Sequence, residues 1–320
     1  MLPSLCERIK NRLSPSEIQV LIPGVGSDSE DLSLLRGLLI EEPQQLVSLN
    51  DSIMAQLVVG YQELELPLYQ KARRKKNKSS ADLMLVSKYE SMLMKLLDAF
   101  DYKKQVSENQ DRAYHITAIK GVNVCTYCNR QYIFTINKPK RIGLQHIVRP
   151  ELDHWFNKEL FPLLSLSFYN LIPSCHTCNS AVKGTSVFSL STHINPYLQN
   201  NANPDIRFRP TIQSAAPTYG VVIERKTPSK EDNTIKAFAL DEIYRVHGGL
   251  EVNDLMMFNY AYSDGYLRIL FDEILDKYCS VMTKAEIYKM LFGTEMDPKK
   301  YSERPLSKMK HDILKYLHIV

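Results

Sequence analysis

Tyr169-Asn170-Leu171-Ile172-Pro173-Ser174-Cys175-His176-Thr177-Cys178-Asn179-Ser180-Ala181-Val182-Lys183-Gly184 is the stretch on which the reading of this chain turns. It runs from a short apolar segment into a C-x-x-C pair, then into residues that suit a short helix stopped by glycine. Pro173 and Ser174 have the chemistry of a helix start, with Ser174 as the candidate cap, so Cys175 to Lys183 is expected to be helical. Upstream lies a second pair, Cys125-Thr126-Tyr127-Cys128. Two cysteines three apart on a tight knuckle can aim both sulfurs at one ion, and two such pairs supply four thiolates for a tetrahedral zinc site. A closed four-sulfur shell leaves no open position, so such a zinc is structural. The alternatives are four cysteines without metal, or a redox role, which would need two C-x-x-C pairs to coincide by accident. His176 can in principle replace a cysteine; the simpler reading is a solvent-facing side chain at the mouth of the knuckle.

Between the pairs stands Leu152-Asp153-His154-Trp155-Phe156. Neighbouring residues on a strand point to opposite faces, so Asp153 and His154 serve one site only where the strand ends or bends. Asp153 offers a hard oxygen ligand suited to magnesium. His154 has the ordinary imidazole pKa that lets it take a proton from water near neutrality. Without the surrounding cysteines, an Asp-His pair reads equally as a surface pair or a capped turn. Asn179, which directly follows Cys178, carries a side-chain carbonyl fit for the same ion as Asp153. Lys183 reads either as a phosphate contact or as a solvated helix residue. Arg130, Lys138, Lys140 and Arg141 surround the first knuckle and the expected hairpin, where they read as a backbone track or as a solvated edge. Trp155 can stack on a nucleotide or pack against the knuckle, and its large surface favours packing. His193 reads as structural, and His146 and His247 have no motif around them.

Taken in order, these elements resemble the HNH (ββα-metal) endonucleases that carry a four-cysteine zinc staple. The likeness covers Cys125 to Lys183 closely and extends loosely to Asn195-Pro196-Tyr197. It implies a nuclease that hydrolyses phosphodiester bonds of nucleic acid, most naturally DNA. His154 takes the place of the general base, and Asn170 that of the middle Asn, which holds the loop and the base in position. Asp153 and Asn179 take the places of the catalytic metal ligands, where many relatives carry His. All-oxygen protein ligands favour Mg2+ or Mn2+ over a softer ion. Chains of this size and layout are similar to nuclease subunits of bacterial anti-phage systems such as Septu, which implies antiviral defence and an ATPase partner protein. The rivals are a non-catalytic zinc-ribbon protein that binds nucleic acid, and a structural zinc protein that bridges partners.

The remaining chain bounds these readings. It has 320 residues, 44% hydrophobic and 24% charged, with a net charge of +4. That is enough for a real core, and only mildly basic, so any basic surface must come from local clustering. Neither a signal-peptide pattern in MLPSLCERIKNRL nor a long uncharged apolar run is present, so a cytoplasmic protein with reduced thiols and no membrane contact is expected. Cys6 and Cys279 read as inert thiols. Residues 1–120 read as a helical region. A start is expected at Ser14-Pro15-Ser16-Glu17, with amphipathic helices over Pro43 to Leu68 and Ala81 to Phe100. Six basic residues lie within Lys71 to Lys78 and read as a phosphate patch or a solvated interhelical loop. Residues 201–320 read as mixed and mainly helical. Extended segments are expected near 206–209 and 219–224, and helices over Leu250 to Phe258, Tyr266 to Val281 and a tail ending near Leu317. The fold class expected is α+β: a small zinc-bound ββα core at 121–200, flanked by mainly helical regions.

Overall fold

The computed structural model describes residues 1–27, 30–199, 203–213, 218–261 and 283–319. The architecture is mixed helix and sheet, with helices dominating and the strands confined to antiparallel two-stranded hairpins. The N-terminal region is helical: α1 (Leu2–Arg12), α2 (Pro15–Leu21), α3 (Ser33–Ile40), α4 (Pro43–Leu57), α5 (Leu66–Arg74), α6 (Ser80–Phe100) and α7 (Gln110–Lys120). Local chemistry sets many of these boundaries. Ser14 and Glu17 close a reciprocal capping box at the start of α2, and Ser79 and Asp82 do the same for α6. The expected Pro43 to Leu68 helix is in fact two. α4 stops at Leu57, Gly60 takes a left-handed φ of 67°, and the chain restarts as α5 at Leu66. Apolar periodicity continued across a turn that glycine makes possible. The basic stretch ends α5 and enters a largely exposed loop, where Lys75 pairs with Asp82 at 2.8 Å.

The middle region holds two hairpins. β1 (Ile136–Pro139) pairs with β2 (Leu144–Val148), and His146 moors that hairpin to α7 by stacking on Tyr114 and bonding Asp111 and Asn137. β3 (Glu151–His154) pairs with β4 (Leu171–Ser174), placing Asp153 opposite Ile172 and His154 opposite Leu171. β4 leads through Cys175 and His176 into a seven-residue π-helical segment, Thr177–Lys183. Pro173 and Ser174 therefore close a strand, and the expected Ser174 cap does not form; no side chain caps the helix at His176. Proline is tolerated there because a two-stranded sheet has only edge strands.

Downstream, β5 (Arg207–Gln213) and β6 (Thr218–Glu224) form a hairpin, followed by α8 (Lys230–Ala237), α9 (Leu240–Arg245), α10 (Glu251–Ala261), α11 (Lys284–Phe292) and α12 (Ser307–Tyr316). The tail helix stops at Tyr316 with Leu317 as its C-cap. The expected Tyr266 to Val281 helix and Cys279 lie outside the described residues. Side chains from all three regions share one apolar core, among them Leu5, Leu96 and Phe100, Trp155, Phe161 and Leu164, and Phe238, Tyr244 and Ile313. Each such fully buried side chain contributes roughly 1.5–3 kcal/mol. Among the described residues, no helix is long and apolar enough to cross a membrane.

Candidate functional site

The two C-x-x-C pairs meet. The Sγ atoms of Cys125, Cys128, Cys175 and Cys178 all lie within 4.8 Å of one another, and all four residues are buried. Cys128 and Cys175 are 3.9 Å apart, close to the edge of about 3.8 Å that a tetrahedron requires when each sulfur sits ~2.3 Å from a central zinc. The backbone shapes each knuckle. Cys125 N–H donates to Gln131 O, Asn129 N–H returns to Cys125 O at 2.8 Å, and Asn129 adopts a left-handed φ of 47°. Backbone N–H groups of Cys175 and Cys178 point at Cys125 Sγ (3.3 Å) and Cys175 Sγ (3.5 Å). Such N–H groups stabilise thiolates, whereas burial pushes the Cys125 thiol up. A cation at the centre resolves that conflict, so the donor set fits a metal ion. The C-terminal region clasps the first knuckle: Tyr244 Oη donates to Cys128 O, Leu306 N–H to Asn129 O, and Asn129 Nδ2 to Tyr301 O.

Beside this cluster, the end of β3 and the face of the Thr177–Lys183 helix bound a cleft of about 480 Å³, lined by Glu151, Asp153, His154, Asn179 and Lys183 among others. Asp153 and His154 both reach it because β3 ends at His154. His154 Nε2 lies 2.9 Å from the carbonyl of Ser165. A carbonyl only accepts, so Nε2 carries the proton and Nδ1 keeps its lone pair. Burial, followed by the nearby charge of Lys158, pulls His154 down to about 3, well below the ordinary imidazole value expected from the sequence, and the ring of Tyr102 packs edge-on at 4.3 Å.

Asn170 is fully buried, and its amide ties the loop between the strands. Its Oδ1 accepts from Phe156 N–H at 2.6 Å, and its Nδ2 donates to Phe156 O and Leu164 O. Trp155 is buried among Phe156 and Phe188, with its indole N–H on Ile194 O, so it packs and does not offer a stacking face. His193 stacks on Phe188 at 4.0 Å.

Lys183 overturns the reading of a solvated helix residue, although it lines the cleft. It is 3% exposed, so it is not solvated. Its Nζ donates to Asp153 Oδ1 at 2.9 Å, stands 2.8 Å from Oδ2, and donates to His154 O. Tyr127 Oη adds a bond to Asp153 Oδ2 at 2.5 Å. Two donors, making three contacts, leave one of the roughly four lone-pair sites of the Asp153 carboxylate for another cation. Asn179 turns its Nδ2 to Glu151 Oε2 at 2.8 Å. Glu151, absent from the expectations above, also accepts from Ser180 Oγ and from His176 Nδ1 on the exposed ring of His176. The signal for it was its place two residues before Asp153, on the same face of the strand. The carboxylates of Glu151 and Asp153 and the carbonyl of Asn179 form a hard oxygen set that suits Mg2+ or Mn2+ chemically. Arg130 is half-buried and outside the cleft lining, with its charge near Tyr244 and His247.

Burial gives a pH signature. His154 is pulled down to about 3 and His193 to about 4, the latter by burial and then by the charge of Lys183. Unfolded imidazoles titrate near 6.5, so below that pH the unfolded chain binds more protons than the folded one. This stability is complete above about pH 6.5 and is lost as pH falls through about 4 and then about 3. The urea midpoint is therefore expected to fall between about pH 7.5 and about pH 5, less steeply in His154→Gln, which cannot titrate. Equal slopes in the two proteins would contradict the assignment.

No family model matches the chain, and neither a curated protein nor a solved structure does, so the reading of this site rests on its own geometry.

Proposed function

We propose that this chain is a metal-dependent endonuclease of the HNH (ββα-metal) type, with nucleic acid, most naturally DNA, as its substrate. One observation carries the reading. His154, its proton held on Nε2 by the Ser165 carbonyl so that Nδ1 keeps its lone pair, lines one cleft with a set of hard oxygen donors. The loop that fixes it is tied by three hydrogen bonds to Asn170. The order strand, loop, strand, helix, with cysteines at the strand–helix junction, supports the same reading.

In this proposal His154 Nδ1 takes the proton of a water that attacks phosphorus in line. Asn170 keeps the imidazole in register, and Tyr102 shields its edge. Asp153 and Asn179, joined by Glu151, are the residues that would hold Mg2+ or Mn2+. That ion would supply charge stabilisation at the scissile phosphate and the leaving oxygen. The ion of the cysteine cluster is zinc in this reading, and structural, because four sulfurs leave no open position. The similarity to Septu-type nuclease subunits extends the proposal to an antiviral role with an ATPase partner.

The test is plasmid cleavage with added Mg2+ or Mn2+, wild type beside His154→Ala. Loss of a positioned general base is expected to slow cleavage by about 100-fold or more, with folding and DNA binding retained. If the wild-type chain binds DNA yet leaves it intact, alone and with its ATPase partner, the binding-module reading replaces this one.

A further inference from the structure

On the side of the hairpin marked by Phe168, Tyr169 and Pro173 lies a second cavity, of about 470 Å³. Its walls include the partly exposed rings of Phe168, Tyr169 and Tyr197. Among the described residues the lining contains two lysines, Lys120 and Lys299, and no carboxylate. Lys120 ends α7, where its Nζ donates to the Phe168 carbonyl at 2.8 Å and to the Tyr197 hydroxyl. The ammonium stands 3.5 Å from the centre of the Phe168 ring and 4.7 Å from that of Tyr197. Among the described residues no charged neighbour offsets its burial, which by itself pulls Lys120 down to about 7.

Lys120 is half-buried, and an ammonium withdrawn from water is ordinarily matched by an anion. Lys183, in the cleft, has Asp153; Lys120 has two oxygen acceptors and two ring faces, and one of its three N–H donors has no partner in these bonds. We propose that this cavity is a binding site for a nucleotide: a flat base against the aromatic rings, and a phosphate on Lys120 and Lys299. The volume falls within the range of small-ligand pockets, aromatic faces stack bases without regard to sequence, and a charge-assisted bond to phosphate supplies the missing counter-charge. Thr126 and Ser302 add hydroxyls to the lining. The site is separate from the cleft, although the Phe168 carbonyl that Lys120 holds belongs to the same turn, Phe168–Asn170, as the asparagine that fixes the His154 loop.

The experiment is calorimetric titration of the full chain with AMP, beside adenosine and inorganic phosphate, in wild type, Lys120→Met and Lys299→Ala. AMP is expected to bind saturably, one per chain, with adenosine and phosphate each at least about tenfold weaker. Lys120→Met is expected to weaken AMP by about tenfold or more, and Lys299→Ala by less, in keeping with charge-assisted bonds of different burial. AMP is also expected to protect Lys120 of the wild type from reductive methylation, read by mass spectrometry, which needs no variant to fold. Absence of saturable AMP binding, undiminished binding by Lys120→Met, phosphate as tight as AMP, or no protection of Lys120 would each overturn the proposal. None of these readouts depends on cleavage.

Discussion

Cys125→Ser is expected to cost the protein its fold before it costs any chemistry. Wild-type protein should carry one zinc per chain by elemental analysis, and the variant should lose it together with much of its cooperative unfolding transition. Structural zinc contributes apparent free energies of roughly 10–16 kcal/mol in small zinc-binding peptides, as large as the typical total stability of a domain, roughly 5–15 kcal/mol. Here the loss would spread. The cluster joins the 125–128 knuckle to the junction of β4 and the Thr177–Lys183 helix. The knuckle in turn holds Tyr244, Tyr301 and Leu306 of the C-terminal region through its backbone carbonyls and Asn129. Titrating the thiols of native protein with a mercurial, while following metal release and circular dichroism together, gives the same information without a variant. A stable, zinc-free Cys125→Ser protein with full activity would remove the structural role assigned to the ion.

Lys183→Met is the second large effect. The Asp153–Lys183 pair is nearly sealed from solvent, with side-chain exposures of 5% and 2%. Removing the ammonium leaves a buried carboxylate whose remaining protein donor is Tyr127, and it strips a donor from the carbonyl of His154. Breaking one side of a buried pair typically costs 3–5 kcal/mol, about what is expected here, because the surviving charge stays uncompensated. The double variant Asp153→Asn, Lys183→Met should recover part of that loss, since no net charge is then buried. Urea unfolding of the four proteins closes the cycle. A single variant within about 1 kcal/mol of wild type would mean that Asp153 relaxes toward the cleft and solvent, and that the pair does not hold β3 to the helix.

Burial also reorders the roles of the oxygen donors. Asp153 is buried and shared with Lys183 and Tyr127, while Glu151 is half-buried and bonded to Asn179 and Ser180, both of which line the cleft. In the proposed reading, a cation entering the cleft would meet Glu151 and Asn179 by displacing the exchangeable bonds of Glu151 to Asn179, Ser180 and the exposed His176. It meets Asp153 only by sharing the carboxylate with a fixed ammonium, where Coulomb repulsion between the two cations is strong at low dielectric.

Much of this was legible in the residues because it depends on near neighbours. Cysteines three apart, the capping chemistry of Ser14 and Glu17, and the alternation into and out of the second C-x-x-C pair all act over a few residues of backbone. They locate the α2 start, the two knuckles and the short helix wherever the rest of the chain goes. The same local reading failed where two local solutions compete: Pro173 and Ser174 suit a helix start, yet β3 was available to pair with them, and apolar periodicity ran on through the turn at Gly60. The burial of Lys183 on Asp153, the bond from Asn179 to Glu151 and the surroundings of Lys120 are decided by how separate segments dock. A side chain's charge is fixed by its type, but its partner and its distance from water are fixed by packing, and these set what the charge can do.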